Sequence, residues 1–303
     1  MNPQPSSPHV TQAGRLTVES FHDPVTVTFT HLVIEPLSGE CAVVDSVLDH
    51  DPATGMSTTG SADQVLGRIR AQGLRLRWLL ETHVHADHLS AADYLKQQAG
   101  GQTVIGSAIV QVQQTLGALL NDDPASAQDG RPFDRLISDG DQLLLGDVPL
   151  RAVHTPGHTP ACMTFVADSA PPPLAFVGDT LFPPEGGTAR CDFPGGDAVT
   201  LYRSIQKLLA LPGEALLFMC HDYPAAGREA QHVSTVAEER QGNVHAHAGI
   251  AEAAFVAMRQ ARDATLQPPR LFWPSVRVNL RAGQVAVLQT GREAGSPMSV
   301  KDA

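Results

Sequence analysis

Short runs of Val, Ile, Leu and Phe alternate along this chain with longer stretches in which apolar residues recur every three or four positions. The two periods predict strands and helices respectively. Residues 25–34 and 41–47 are rich in Val, Thr and Ile, and Pro36-Leu37-Ser38-Gly39 between them predicts a hairpin. Residues 61–72 carry Val65, Leu66 and Ile69 at helical spacing, with Gly73 as a stop. A buried strand is predicted over 74–80, and helices over 90–98 and 107–120, followed by a polar loop over 121–135. Four short strands follow at 142–145, 148–153, 163–166 and 174–177, separated by Gly, Pro and Asp. A helix over 197–209 has Asp197 in position to cap it. After a strand over 215–219, helical spacing runs through 228–241 and 250–264. Pro268-Pro269 breaks the chain, and 271–278 and 285–288 read as strands. The pattern predicts a single α/β domain over 15–290, with a core over 20–245 and a C-terminal helical extension over 246–290. Residues 1–14 and 295–303 read as loose tails.

Composition narrows the functional classes. Of 303 residues, 42% are hydrophobic and 17% charged, as in an ordinary folded protein. No apolar run approaches the roughly 18 residues of a membrane span, so no membrane partner is expected. With 21 Lys and Arg against 32 Asp and Glu, the net charge is −11, which disfavours nucleic acid as a partner. Cys41, Cys162, Cys191 and Cys220 lie far apart and are expected as reduced thiols in a cytoplasmic protein.

The chemistry is concentrated in four places. Thr82-His83-Val84-His85-Ala86-Asp87-His88 follows the strand predicted over 74–80 and offers four potential metal ligands. In an extended loop alternate side chains share a face, so His83, His85 and Asp87 are expected to converge, with His88 opening the next helix. Imidazole and carboxylate suit zinc and non-haem iron. His158 lies in the turn Thr155-Pro156-Gly157-His158-Thr159, Asp179 ends a strand in Val177-Gly178-Asp179-Thr180, and His221 begins His221-Asp222-Tyr223. Each sits just past the C-terminal end of a predicted strand, where an α/β scaffold gathers a site.

In order and spacing these segments resemble the metallo-β-lactamase-fold superfamily, over roughly residues 20 to 245. The resemblance implies an αββα sandwich with metal at one edge. Gly187 to Gly196, with Arg190, Asp192 and Phe193, and His221-Asp222-Tyr223 are most similar to the persulfide dioxygenase branch, close to glyoxalase II. Cys191 stands where that branch has Thr, and Asn243-Val244-His245 where it has Asn-Pro-Arg. The branch resemblance implies one iron(II) per chain held by His85, His158 and Asp179, and oxidation of glutathione persulfide by O2 to sulfite and thiol. His83, Asp87, His88 and His221 then either surround that set or hold a second metal, zinc included. The second arrangement would make a glyoxalase II-like thioester hydrolase. A metal-holding sensor without catalysis is a third class.

Four neighbours of the site have defined alternatives. Arg190 either binds a substrate carboxylate or pairs with Asp192. Tyr223 either gives its hydroxyl to substrate or bonds it to backbone. His245, in place of the family arginine, is a further substrate-contact candidate. Cys191 is either an oxidisable thiol or a small buried one. By analogy with the family, a homodimer is expected.

Overall fold

The computed structural model describes residues 7–120, 128–169 and 171–286. An antiparallel meander comes first: β1 (His9–Ala13), β2 (Leu16–Asp23), β3 (Thr28–Glu35) and β4 (Glu40–Val44). The hairpin predicted around Pro36 is the β3–β4 turn. The small strands β5 (Val47–Asp51) and β6 (Met56–Thr58) lead into α1 (Gly60–Ala71). Next comes β7 (Arg75–Leu80), parallel to β4. Then follow β8 (Leu89–Ser90), α2 (Ala92–Ala99), β9 (Gln102–Gly106), α3 (Ile109–Leu119) and β10 (Arg135–Ile137). The first sheet runs β1-β2-β3-β4-β7-β9-β10, and β5 pairs with both β6 and β8 beside it.

The second half repeats the logic. It contains β11 (Gln142–Leu145), β12 (Val148–His154), β13 (Met163–Ala167), β14 (Leu174–Phe176), α4 (Ala198–Leu209), β15 (Leu216–Phe218), β16 (Val233–Thr235) and α5 (Val236–Gly242). Its sheet runs β11 to β16 in order. Asp197 caps α4 by accepting from the Thr200 N–H. Two more helices, α6 (Glu252–Asp263) and α7 (Phe272–Asn279), form the C-terminal extension.

Strand alternation sorts the core into layers. Val33, Trp78 and Leu80 of the first sheet face Phe165, Phe176 and Phe218 of the second across the central layer. Leu32 and Ile34 point the other way, onto Val65, Leu66 and Ile69 of α1 and Leu95 of α2. Ala175 and Leu217 meet Leu201 and Ile205 of α4 and Phe255 of α6. The result is helices, sheet, sheet, helices: the αββα architecture. Truncating one of the three central phenylalanines to Ala costs about 3–5 kcal/mol.

Three expectations from the sequence are corrected. Residues 9–13, expected as tail, are β1, paired to β2 along its whole length. The helix expected over 228–241 begins only at Val236. Buried Asp222 accepts from Arg228 and from the Gln231 N–H, tying that stretch into a loop, and β16 follows. Residues 271–278 are helical. Phe272, Ser275, Val276 and Asn279 bury one face at helical spacing, and Pro274 falls in the first turn, where its missing N–H costs nothing. Of the strand expected over 285–288, residues 287–288 lie outside the described residues, and 285–286 form a turn.

Candidate metal centre

Every candidate ligand follows the C-terminal end of a strand: Asp45 after β4, residues 81–88 after β7, His158 after β12, Asp179 after β14 and His221 after β15. Two glycines permit the close approach. A Cβ on Gly178, at φ +52°, would stand 2.5 Å from Thr82 Oγ1, so only glycine lets the Asp179 turn lie against the β7 loop. A Cβ on Gly157, at φ +137°, would stand 2.3 Å from the Cα of Leu201, fixing the His158 turn on α4.

His83, His158 and Asp179 form one corner, with their ligand atoms all within 4.8 Å of one another. The Nε2 atoms of His83 and His158 lie 3.8 and 3.7 Å from Asp179 Oδ2. The hydrogen-bond network sets both tautomers. Thr82 gives its hydroxyl proton to Asp45 at 2.8 Å, so at 3.0 Å it accepts from His83 Nδ1. His158 Nδ1 lies 2.6 Å from the Arg190 carbonyl, which only accepts. Both Nδ1 atoms therefore carry the proton, and both Nε2 lone pairs face Asp179. Burial, then the neighbouring imidazoles, push the proton affinity of His83 well below the ordinary histidine value, which keeps that lone pair free.

This corrects the place of His85. It does not join His158 and Asp179; His83 does. Residues 82–88 bend, so alternate side chains do not share one face as an extended loop would have them. Asp45 and Glu81 take His85 Nε2 at 3.1 and 3.3 Å. Burial opposes a charge on His85, but the two carboxylates outweigh it and raise its proton affinity well above the ordinary value.

The second corner holds His85, Asp87, His88 and His221. His221 Nε2 lies 3.1 Å from Asp87 Oδ2 and 3.5 Å from Asp179 Oδ1, so Asp179 stands between the two corners. His88 and His221 turn their Nδ1 atoms to one hydroxyl, that of Thr28, at 3.5 and 3.3 Å. His83 Nε2, His85 Nδ1, Asp87 Oδ2, His88 Nε2, Asp179 Oδ1 and His221 Nε2 are buried and make no hydrogen bond. Six orphaned polar atoms in one place are costly unless something binds them. Nitrogen and carboxylate donors in this number fit a transition metal or zinc.

Beside these corners opens a cleft of about 560 Å³. Asp87, His158 and Asp179 form its floor, and Phe182, Phe193 and Tyr223 are among its walls. Tyr223 is 55% exposed, its ring packs against Phe182 and His221, and its hydroxyl makes no hydrogen bond among the described residues. Arg190 lines the cleft but forms the ion pair with Asp192, at 2.5 and 2.6 Å, and donates to the Gln267 carbonyl. Two of its five N–H groups remain for the cleft. Arg262 and Arg270 line the outer wall with no ion pair among the described residues. His245, a substrate-contact candidate in the sequence, is not among the lining residues. Its Nδ1 accepts from the Thr188 N–H at 3.0 Å beneath the loop, and burial followed by nearby Arg259 lowers its pKa to about 4. Cys191 is buried 3.3 Å from Asp263, and burial pushes its thiol up to about 12, the inert alternative.

The sequence profile of the metallo-β-lactamase superfamily matches residues 25–221, which hold both corners. The chain belongs to this superfamily. A probable metallo-hydrolase of Burkholderia pseudomallei is 58% identical over 276 residues, covering 89% of this chain and 94% of that one. Glyoxylase B2 of Dictyostelium discoideum is 39% identical, covering 90% and 93%. The mitochondrial persulfide dioxygenase ETHE1 of Homo sapiens is 34% identical, covering 75% of each chain. The crystal structure of ETHE1 from Myxococcus xanthus superposes with a TM-score of 0.69 at 25% identity, covering 88% of this chain and 99% of that one. Within the superfamily site, sequence reasoning missed Asp45, Glu81, Arg262 and Arg270. Asp45 had a readable signal, a carboxylate closing the apolar strand Ala42-Val43-Val44 just as Asp179 closes β14. Its φ of +50° is a strained setting for a non-glycine residue.

Proposed function

We propose that this chain is a non-haem iron dioxygenase that oxidises a low-molecular-weight persulfide, glutathione persulfide in the first instance. The observation that carries the reading is a corner of two imidazoles and one carboxylate from which His85 has been withdrawn. Iron(II) at His83, His158 and Asp179 would activate O2 while leaving coordination positions for a substrate sulfur. One persulfide, one O2 and one water give one thiol, one sulfite and two protons. Tyr223 orients the persulfide with its free hydroxyl, and Phe182 and Phe193 keep water from the sulfur. Arg262 and Arg270 bind the carboxylates of a glutathione-like tail. Four free, buried cysteines support a reducing, cytoplasmic setting, and no helix among the described residues is long and apolar enough to cross a membrane. A homodimer remains part of the proposal by analogy alone.

A second reading, a binuclear thioester hydrolase of glyoxalase II type, rests on the orphaned atoms of the second corner and on the hydrolase relatives. One experiment separates the two. The purified chain is assayed for iron and zinc, then for O2 uptake with glutathione persulfide. One iron per chain with sulfite release supports the dioxygenase. Two zinc ions, no O2 uptake and thioester cleavage transfer the chain to the hydrolases. Within the dioxygenase reading, Arg262→Ala with Arg270→Ala raises KM about tenfold or more, the worth of a charge-assisted bond, and leaves kcat nearly unchanged.

A further inference from the structure

All the candidate ligands lie within residues 25–221, yet the helices beyond that range reach back into the centre. Asn279, near the end of α7, is buried. Its two amide protons go to the carbonyls of His85 and His88, at 2.9 and 2.8 Å, and its Oδ1 accepts from the Ser90 N–H at 2.8 Å. The two carbonyls bracket the segment that carries His85, Asp87 and His88, so one side chain sets its span. Only a carboxamide offers two donors and an acceptor in that geometry.

On the other side, Arg259 of α6 donates to the Thr188 carbonyl at 3.1 Å. Its partner Asp263 accepts from the Cys191 N–H at 3.0 Å. Those anchors flank Arg190, whose carbonyl holds His158 Nδ1. Arg259 and Asp263 are bonded to each other at 2.8 and 2.6 Å and are fully buried, so neither charge is stranded.

We propose that Asn279 and the Arg259–Asp263 pair are positioning residues of the metal centre, acting on it through the backbone of its two ligand-bearing loops. The C-terminal extension is thereby a working part of the centre, and not only a cover for the sheets. The inference rests on the reading of the cluster as a metal centre, and it holds for either iron or zinc chemistry.

The test uses the full chain and Co(II), whose ligand-field absorption reports coordination geometry. Asn279→Ala is expected to weaken Co(II) binding about 10–100-fold, the range for partners behind the ligands, and to shift the bands. Leu66→Ala, a core truncation in α1 far from the loops, serves as the stability control. It is expected to lower the melting temperature yet keep wild-type bands and affinity. If Asn279→Ala fails to fold, Asn279→Gln, which keeps both amide groups one methylene farther out, is judged by the same two readouts. In the Zn-loaded protein, replacing the pair together as Arg259→Met with Asp263→Leu strands no charge. It is expected to speed solvent exchange of the His158 Nδ1 proton in 15N-edited NMR at least about tenfold, the loss of roughly one hydrogen bond's protection. Wild-type affinity and bands in the Asn279 variant overturn the α7 half, and unchanged exchange overturns the α6 half. A wild-type chain that binds no Co(II) sinks the metal-centre reading itself, a distinct result.

Discussion

The two corners of the histidine cluster are held to different tolerances. In the first, His83 and His158 each have a private partner, Thr82 at 3.0 Å and the Arg190 carbonyl at 2.6 Å. In the second, Asp45 and Glu81 hold His85 at 3.1 and 3.3 Å, but His88 and His221 share the Thr28 hydroxyl at 3.5 and 3.3 Å, with only Asp87 Oδ1 at 3.5 Å beside His88 and the Val27 carbonyl at 3.3 Å beside His221. A hydrogen bond weakens steeply beyond about 3.2 Å for nitrogen and oxygen. The chain therefore fixes ring orientation and tautomer where His83, His158 and Asp179 meet, and leaves His88 and His221 of the other corner looser. That difference is what one tightly held ion and an open second place would require.

The largest expected effect comes from deleting ligands. His158→Ala should weaken metal binding by at least about 100-fold, beyond the 10–100-fold cost of losing an outer partner, whereas His221→Ala should stay under about 10-fold. Metal titration checks both, and equal losses would erase the distinction between the corners. The next test exchanges the orienting hydroxyls. Thr82→Val should cost about 10–100-fold in metal affinity. Thr28→Val should cost only about 2–5-fold, the worth of one weak neutral bond. A larger loss from Thr28→Val would reverse the comparison.

The smallest effect is a pH dependence in the buried core. His31 is buried among Phe29, Phe176 and Phe218, donates Nε2–H to the Met219 carbonyl, and is held neutral by burial, its pKa down from 6.5 to about 4. As pH falls below 6.5 the unfolded chain takes up a proton that the folded chain refuses until about 4. Stability is therefore full above that window and falls through it. Urea unfolding at about pH 7 and about pH 5 should show a smaller drop for His31→Gln than for the wild type, and equal drops would remove His31 from the account.

Much of this was legible in the chain itself. Short apolar runs gave β13 to β15 almost to the residue, because those strands are covered on both faces and carry little but apolar residues; alternation gave β12, and β3 and β4 were found with ends displaced by up to three positions. The four ligand-bearing segments were legible because they occur together, each just past a strand; singly, an Asp after Gly or a His before Asp is more often structural. The choice between His83 and His85 was not. It depends on the bend through 82–88 and on Asp45, whose carboxylate arrives from 37 residues upstream of Thr82. The helix α7 was hidden for a different reason. Val276-Arg277-Val278 alternates like a strand, and only packing against the ligand loop, through Asn279, shows the period to be helical.

The cysteines carry a consequence for an enzyme that works on sulfane sulfur. Such substrates hand their outer sulfur to thiolates, the deprotonated form being the acceptor. Cys41, Cys162 and Cys191 are all buried, with burial pushing each up to about 12. At neutral pH they stay protonated and out of reach. On the proposed chemistry, the catalyst is thereby spared from being modified by the reagent it consumes.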